Sequence, residues 1–108
     1  MGKKLQQQRT RYRKGRFFEV IRDYCFREGH MGRKSNKPIC FTKGDIGKVI
    51  DTYVSLGELG IQMHFKGKDG KSGFDDTSPL FVSGKLRRLD LRKPKDRARV
   101  KRIYHGEE

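Results

Sequence analysis

The chain has no tryptophan, two cysteines, three prolines and only 13 acidic residues against 27 basic ones in 108. Its uncharged apolar runs are a few residues long, which excludes a transmembrane helix. No apolar stretch follows the basic N-terminal residues, so a signal peptide is not expected. Hydrophobic residues make up 32% of the sequence. That is enough for one small domain, but not for a two-domain enzyme or a large pocket walled by its own core. Cys25 and Cys40 lie 15 apart with no CxxC, so they make no disulfide framework. They are expected as two reduced, half-buried thiols in the cytoplasm or an equivalent reducing compartment, with a single bridge as the alternative.

What is abundant is positive charge, a net +14, and it is unevenly placed. Residues 1–16 carry seven basic side chains and no acid, giving +7. Residues 17–84 carry ten basic and nine acidic ones, giving +1. Residues 85–102 carry ten basic residues against Asp90 and Asp96, giving +8. A nearly neutral centre is therefore flanked by two basic arms. Arms this dense repel themselves and each other unless a polyanion neutralises them. Nucleic acid is the fitting polyanion, because each neutralised phosphate releases condensed counterions. A membrane surface fits less well, since the arms lack the apolar stripe of an interfacial helix.

Residues 1–16 hold few apolar side chains besides Leu5 and Tyr12, and are expected to stay disordered until bound. Phe17, Val20, Ile21, Tyr24 and Cys25 fall on one helical face, so a helix over 17–28 capped by Gly29 is favoured over a strand. Residues 29–38 read as a loop rich in Gly, Pro, Ser and Asn, with basic residues that make it a contact loop. Strand signals follow at Ile39–Phe41 and at Ile46–Val54, where Gly47 marks a bulge or close approach. Leu59, Ile61, Met63 and Phe65 alternate strictly, which puts His64 on the opposite face, toward solvent or nucleic acid. Lys68-Asp69-Gly70-Lys71 is a hairpin turn. Phe74, Leu80–Val82 and Leu86–Leu91 supply closing strands, and residues 94–104 a short helix with Val100, Ile103 and Tyr104 as its apolar face. Several short strands divided by glycine turns favour a small barrel.

The run Phe41-Thr42-Lys43-Gly44-Asp45-Ile46-Gly47-Lys48-Val49-Ile50 resembles the second-strand region of SH3-like barrels. Two branches compete. Asp23-Tyr24 with Phe41–Asp45 is similar to the signalling SH3 branch, but that branch's paired Trp is absent and Pro79 is followed by Leu80-Phe81. Gly44-Asp45-Ile46-Gly47-Lys48-Val49 resembles the KOW type of barrel found in ribosomal proteins and elongation factors, which implies RNA binding inside a larger assembly.

Catalytic signatures are weak. Gly70-Lys71-Ser72 lacks the glycine five positions upstream that a phosphate-binding loop needs, since residue 65 is Phe. His30, His64 and His105 are scattered, and only Cys25 and His30 approach zinc-ligand spacing. Asp75 and Asp76, as neighbours in an extended chain, face opposite ways and read as a turn or helix cap. No enzyme, cofactor or metal site is expected.

The expected fold class is mainly β: a small SH3-like barrel over 17–91, with a helix near its start and basic extensions at 1–16 and 92–108. The expected function is non-enzymatic RNA binding in a ribosome or other ribonucleoprotein, with RNA preferred over DNA, neighbouring proteins as further partners, and no membrane. The alternatives are a phage-type or chromosome-associated regulator that binds DNA or RNA polymerase, and an SH3-type peptide adaptor. Candidate contacts in the first arm are Lys3, Lys4, Arg9, Arg11, Arg13, Lys14 and Arg16, with Tyr12 as a base stacker. Arg33 and Lys34 belong to the loop. The second phosphate track comprises Arg87, Arg88, Arg92, Lys93, Lys95, Arg97, Arg99, Lys101 and Arg102.

Overall fold

A computed structural model of the chain describes residues 2–30, 33–34 and 36–107, with His30 and Lys34 placed by their backbone alone. In chain order the elements are helix α1 (Gly2–Arg11) and strands β1 (Phe17–Val20), β2 (Tyr24–Phe26), β3 (Gly29–His30), β4 (Arg33–Lys34), β5 (Ile39–Phe41), β6 (Ile46–Ser55), β7 (Glu58–Lys66) and β8 (Ser72–Thr77). The helical turn α2 (Pro79–Val82), β9 (Leu86–Arg88) and helix α3 (Pro94–Arg99) follow, and α3 runs on as a π turn, Val100–Tyr104. The fold is mainly β. Five antiparallel strands form the principal sheet in the order β8-β7-β6-β1-β9, with β2–β5 and β3–β4 as separate pairs.

The centre of the sheet follows its sequence signals. β6 turns into β7 through Leu56 (φ 53°) and Gly57 (φ 76°), the two positive-φ residues a tight hairpin requires. The Lys68–Lys71 hairpin forms as expected, with Gly70 at φ 92°. Leu59, Ile61, Met63 and Phe65 are buried on one face of β7. Gly47 is a point of close approach, since a Cβ there would sit 2.6 Å from the Phe65 ring. The pairing of β6 with β7 shifts register between Val49 and Asp51, so a bulge falls inside the longest strand.

Two apolar cores lie on opposite faces of β1. Phe18 and Val20 face a core with Val49, Ile61, Met63 and Phe65, which Tyr24, Phe41, Val82 and Leu86 close. Phe17 faces a smaller core with Ile46, Leu89, Val100 and Tyr104. All four residues of β1 are therefore buried. This corrects the helix expected over 17–28. A strand covered on both faces has no polar alternation, and its aromatic residues mimic a helical face. The same span contains β2, separated from β1 by a bend.

Four further expectations change, and the first is that Leu80–Val82, read as a closing strand, form the helical turn α2 behind Pro79. The first arm is ordered: Leu5 packs against the larger core, and Tyr12 is 5% exposed and stacked on Phe18 at 5.3 Å. Residues 29–30 and 33–34 pair as β3 and β4 rather than looping freely, while Met31, Gly32 and Ser35 lie outside the described residues. Cys25 and Cys40 are not free thiols. They face each other across β2 and β5, Cα to Cα 4.0 Å, and are bridged. Among the described residues, no helix is long and apolar enough to cross a membrane.

Candidate nucleic-acid interface

Helix α1 has one inward face and a basic remainder. Leu5 and Tyr12, seven apart, lie on one stripe and anchor the helix, while Lys3, Lys4, Arg9 and Arg11 are exposed. Arg9 and Arg11 occupy the last turn, where the helix dipole favours cations. Arg11 also lies over the Tyr12 ring, 5.6 Å from its centroid. Beyond the helix, Gly15 at φ 90° turns the chain back onto β6. Gly15 N–H donates to the Val49 carbonyl (2.8 Å) and Val49 N–H donates to the Arg16 carbonyl (2.9 Å). Arg13, Lys14 and Arg16 are thus carried on backbone fixed to the sheet.

Arg88 reaches the same place from the other end of the chain. It sits opposite Phe18 in the β1–β9 register, on the side of the sheet where α1 packs. It lines a groove with Lys3, Gln6, Gln7, Thr10 and Arg11. Arg9, Arg13 and Lys14 line a second groove with Thr52 of β6, and this groove shares Gln6 and Thr10 with the first. Arg16 lies between these charges. Its Nε is shielded from solvent and has no hydrogen-bond acceptor among the described residues. Burial first, then the charges of Arg88 and Arg13, holds its guanidinium below the usual arginine pKa. No carboxylate among the described residues lies within ion-pair distance of Arg13, Arg16 or Arg88. Three cations crowd together without an internal counterion, an arrangement that attracts an external anion.

The second basic arm divides differently. Glu19, 7% exposed in β1, points away from Phe18 into the smaller core's side of the sheet. It accepts from Arg87 Nε (3.1 Å) and Nη2 (2.9 Å) through one oxygen, and from Arg99 Nη1 through the other. Asp96, also buried, lies 3.7 Å from Arg87 Nη2 and accepts from the Asp90 backbone N–H. Arg87 and Arg99 therefore pin α3 to the sheet, while their side chains stay 47% and 43% exposed. Arg92 is held by Asp90 through Nε and Nη2, and these bonds lower the Asp90 carboxyl to about 2. Arg97 Nη1 reaches the Leu91 carbonyl at 3.5 Å. Lys93, Lys95, Lys101 and Arg102 are exposed, with no carboxylate partner among the described residues. Arg33 is exposed on β4, and the Lys34 side chain lies outside the described residues. Tyr12 is corrected: a ring buried against Phe18 is a core residue, not a platform for a base.

Asp75 and Asp76 are consecutive in β8, not in a turn or cap, and their partners are tyrosines. Tyr24 Oη donates to Asp75 at 2.5 Å and contacts Thr77 Oγ1 at 2.9 Å, and Tyr53 Oη donates to Asp76 at 2.6 Å. Among the described residues, no group of three or more His, Cys, Asp or Glu side chains is arranged to hold a metal ion. Asp45 of the Lys-Gly-Asp turn is buried and accepts from the Thr42 and Lys68 N–H groups, which fixes the turn rather than a ligand.

Sequence reasoning placed His64 on the outer face of β6–β7–β8 but missed the neighbours it meets there. Lys48, His64 and Phe74 lie in one cross-strand row there, and Phe74 is 59% exposed. The available signal was Phe74 itself, an apolar residue between Gly73 and two aspartates. Comparison with known proteins adds no family to this geometry: no family model, no curated protein and no solved structure matches the chain.

Proposed function

We propose that the chain is a non-enzymatic RNA-binding protein of a ribosome or other ribonucleoprotein assembly. In this reading it is an SH3-like small barrel of the KOW type that holds RNA through its basic N-terminal helix. The observation that carries the reading is the cluster of Arg13, Arg16 and Arg88, which has no counterion among the described residues and one occluded Nε without an acceptor among them. The exposed Lys3, Lys4, Arg9, Arg11 and Lys14 extend it along α1. Lys93, Lys95, Lys101 and Arg102 supply further phosphate contacts on the second arm. Leu80 and Phe81, 82% and 65% exposed on α2, support contact with a neighbouring protein. The Cys25–Cys40 bridge favours an oxidising compartment over the reducing one expected from the sequence, and thiol trapping in cells reads out the reduced fraction.

The test is binding of the full chain to structured RNA, duplex DNA and single strands across a salt series. The reading expects structured RNA to bind at least roughly tenfold tighter than duplex DNA at equal salt, a gap of about 1.4 kcal/mol. Equal affinity for every polyanion, lost together as salt rises, refutes it. Preference for duplex DNA points instead to a DNA-binding regulator.

A further inference from the structure

We propose that the outer face of β6–β7–β8 is a nucleobase site that stacks an unpaired base of single-stranded RNA on Phe74. The proposal rests on the RNA-binding reading and names a site that the basic helix does not include. Phe74 leaves most of its ring in solvent at 59% exposure, although it stands on the face of a sheet. It is not a loose side chain. Its ring stacks on His64 at 4.3 Å with an interplanar angle of 20°. His64 is fixed in turn by Tyr104, whose hydroxyl lies 2.8 Å from Nδ1. Tyr104 belongs to the smaller core, so the stack is founded on packed side chains. The Phe74 N–H donates to Glu28 at 2.9 Å, which holds the backbone of β8 in place.

The surroundings suit a nucleotide. Lys48 sits directly opposite His64, and Lys66 is two residues along β7 on the same face. Neither lysine has a carboxylate within ion-pair distance among the described residues. Beside the Phe74 ring a cleft of about 350 Å³ is lined by Gln62, Asp76 and Arg27. Gln62 offers both a donor and an acceptor, Asp76 an acceptor and Arg27 donors, the complement that a base edge requires. Aromatic stacking beside a cationic track is how single strands are held without a duplex. A structured duplex does not fit this site, because its bases are already stacked on one another.

The experiment uses the full chain and an oligouridylate RNA of about ten nucleotides, whose bases stack weakly on one another, carrying one 2-aminopurine whose fluorescence reports stacking. Binding is expected to quench the probe. Phe74→Ala is expected to weaken binding roughly tenfold and abolish the quench, while leaving the salt slope unchanged because no phosphate contact is lost. Phe74→Tyr is expected to retain both, which separates stacking from misfolding. Arg88→Ala supplies the converse, a shallower salt slope with the quench preserved. If Phe74→Ala binds and quenches as the parent chain does, the base site is overturned and the RNA reading stands. If the parent chain binds RNA without any quench, the result is the same. If the parent chain does not bind this oligonucleotide, the base site is overturned, and the RNA reading is decided separately by the structured-RNA titration.

Discussion

Arg87 and Arg88 are neighbours with equal charge, and alternation along β9 sends them to opposite faces of the sheet. Replacing each with alanine is expected to have opposite consequences. Arg87 donates twice to Glu19, a carboxylate that is 7% exposed. Breaking a fully buried ion pair from one side costs about 3–5 kcal/mol. The Arg87 side chain is 47% exposed, and Arg99 remains on the other Glu19 oxygen, so solvent screening reduces the loss. A value of about 1–2 kcal/mol follows, close to that of a charge-assisted hydrogen bond. For a domain of this size, that is a fall in Tm of roughly 5–15 °C. Arg88 has no carboxylate partner among the described residues and stands close enough to Arg16 to disfavour its charge, so Arg88→Ala is expected to change stability by less than about 0.5 kcal/mol. Its effect lies in binding: one phosphate contact removed lowers the slope of log affinity against log salt by about 0.7–0.9. Urea unfolding followed by circular dichroism, together with RNA binding between roughly 50 and 200 mM salt, measures both quantities. If Arg87→Ala lowers the salt slope and leaves the urea midpoint in place, the division of the second arm into structural and binding residues is refuted.

Reduction of the Cys25–Cys40 bridge, which closes a 15-residue separation, is expected to lower stability by up to about 3 kcal/mol, measured as the urea midpoint with and without reductant and compared with Cys25→Ser. Tyr12→Ala is expected to cost about 3 kcal/mol by emptying a buried aromatic site, while Tyr12→Phe leaves RNA affinity unchanged; an affinity loss in Tyr12→Phe without a stability loss would return Tyr12 to the interface. The His64 pKa is held below its ordinary 6.5 by burial first and then by Lys66 and Lys48, against the opposing pull of Glu28, with Tyr104 packed over the ring. The unfolded chain therefore takes up the His64 proton at higher pH than the native chain does, so stability falls as pH drops below about 6.5. His64→Gln should flatten that part of the curve in urea titrations at several pH values.

Legibility in the sequence depended on how local the cause was. The alternation of β7, the Asp-Gly hairpin and the close approach at Gly47 are each set within a few residues, and each forms as read. The same holds for Val100, Ile103 and Tyr104, whose helical spacing matches their packing in the smaller core. Residues 17–28 failed because the burial of β1 on both faces depends on α1 and on the C-terminal helix, which are distant in sequence. Tyr12 was assigned to RNA because its neighbours are basic, yet its partner Phe18 is visible only once β1 is a strand. The Cys25–Cys40 bridge required the β2–β5 register, which residues 29–38 conceal. Charge counting located both arms, but it cannot see that Glu19 consumes two of the ten basic residues in the second.

The same one-residue parity that separates Phe17 from Phe18 organises the charge of the whole molecule. On the Phe17 face, Glu19 and Asp96 draw Arg87 and Arg99 inward, and those arginines hold α3 so that Val100 and Tyr104 cover the sheet. On the Phe18 face there is no buried carboxylate among the residues around Arg13, Arg16 and Arg88, and the helix above them has no acidic residue in its sequence. Positive charge is therefore spent on folding on one face and left uncompensated on the other. Arg87 lies across the strand from Arg88 and is already engaged by Glu19. The net +14 overstates the charge available to a ligand on the second arm and understates its local density beside α1. That density is fixed on backbone hydrogen-bonded to β6 and β1, so in the proposed reading an RNA would meet arginines already in position and would not have to order a free tail.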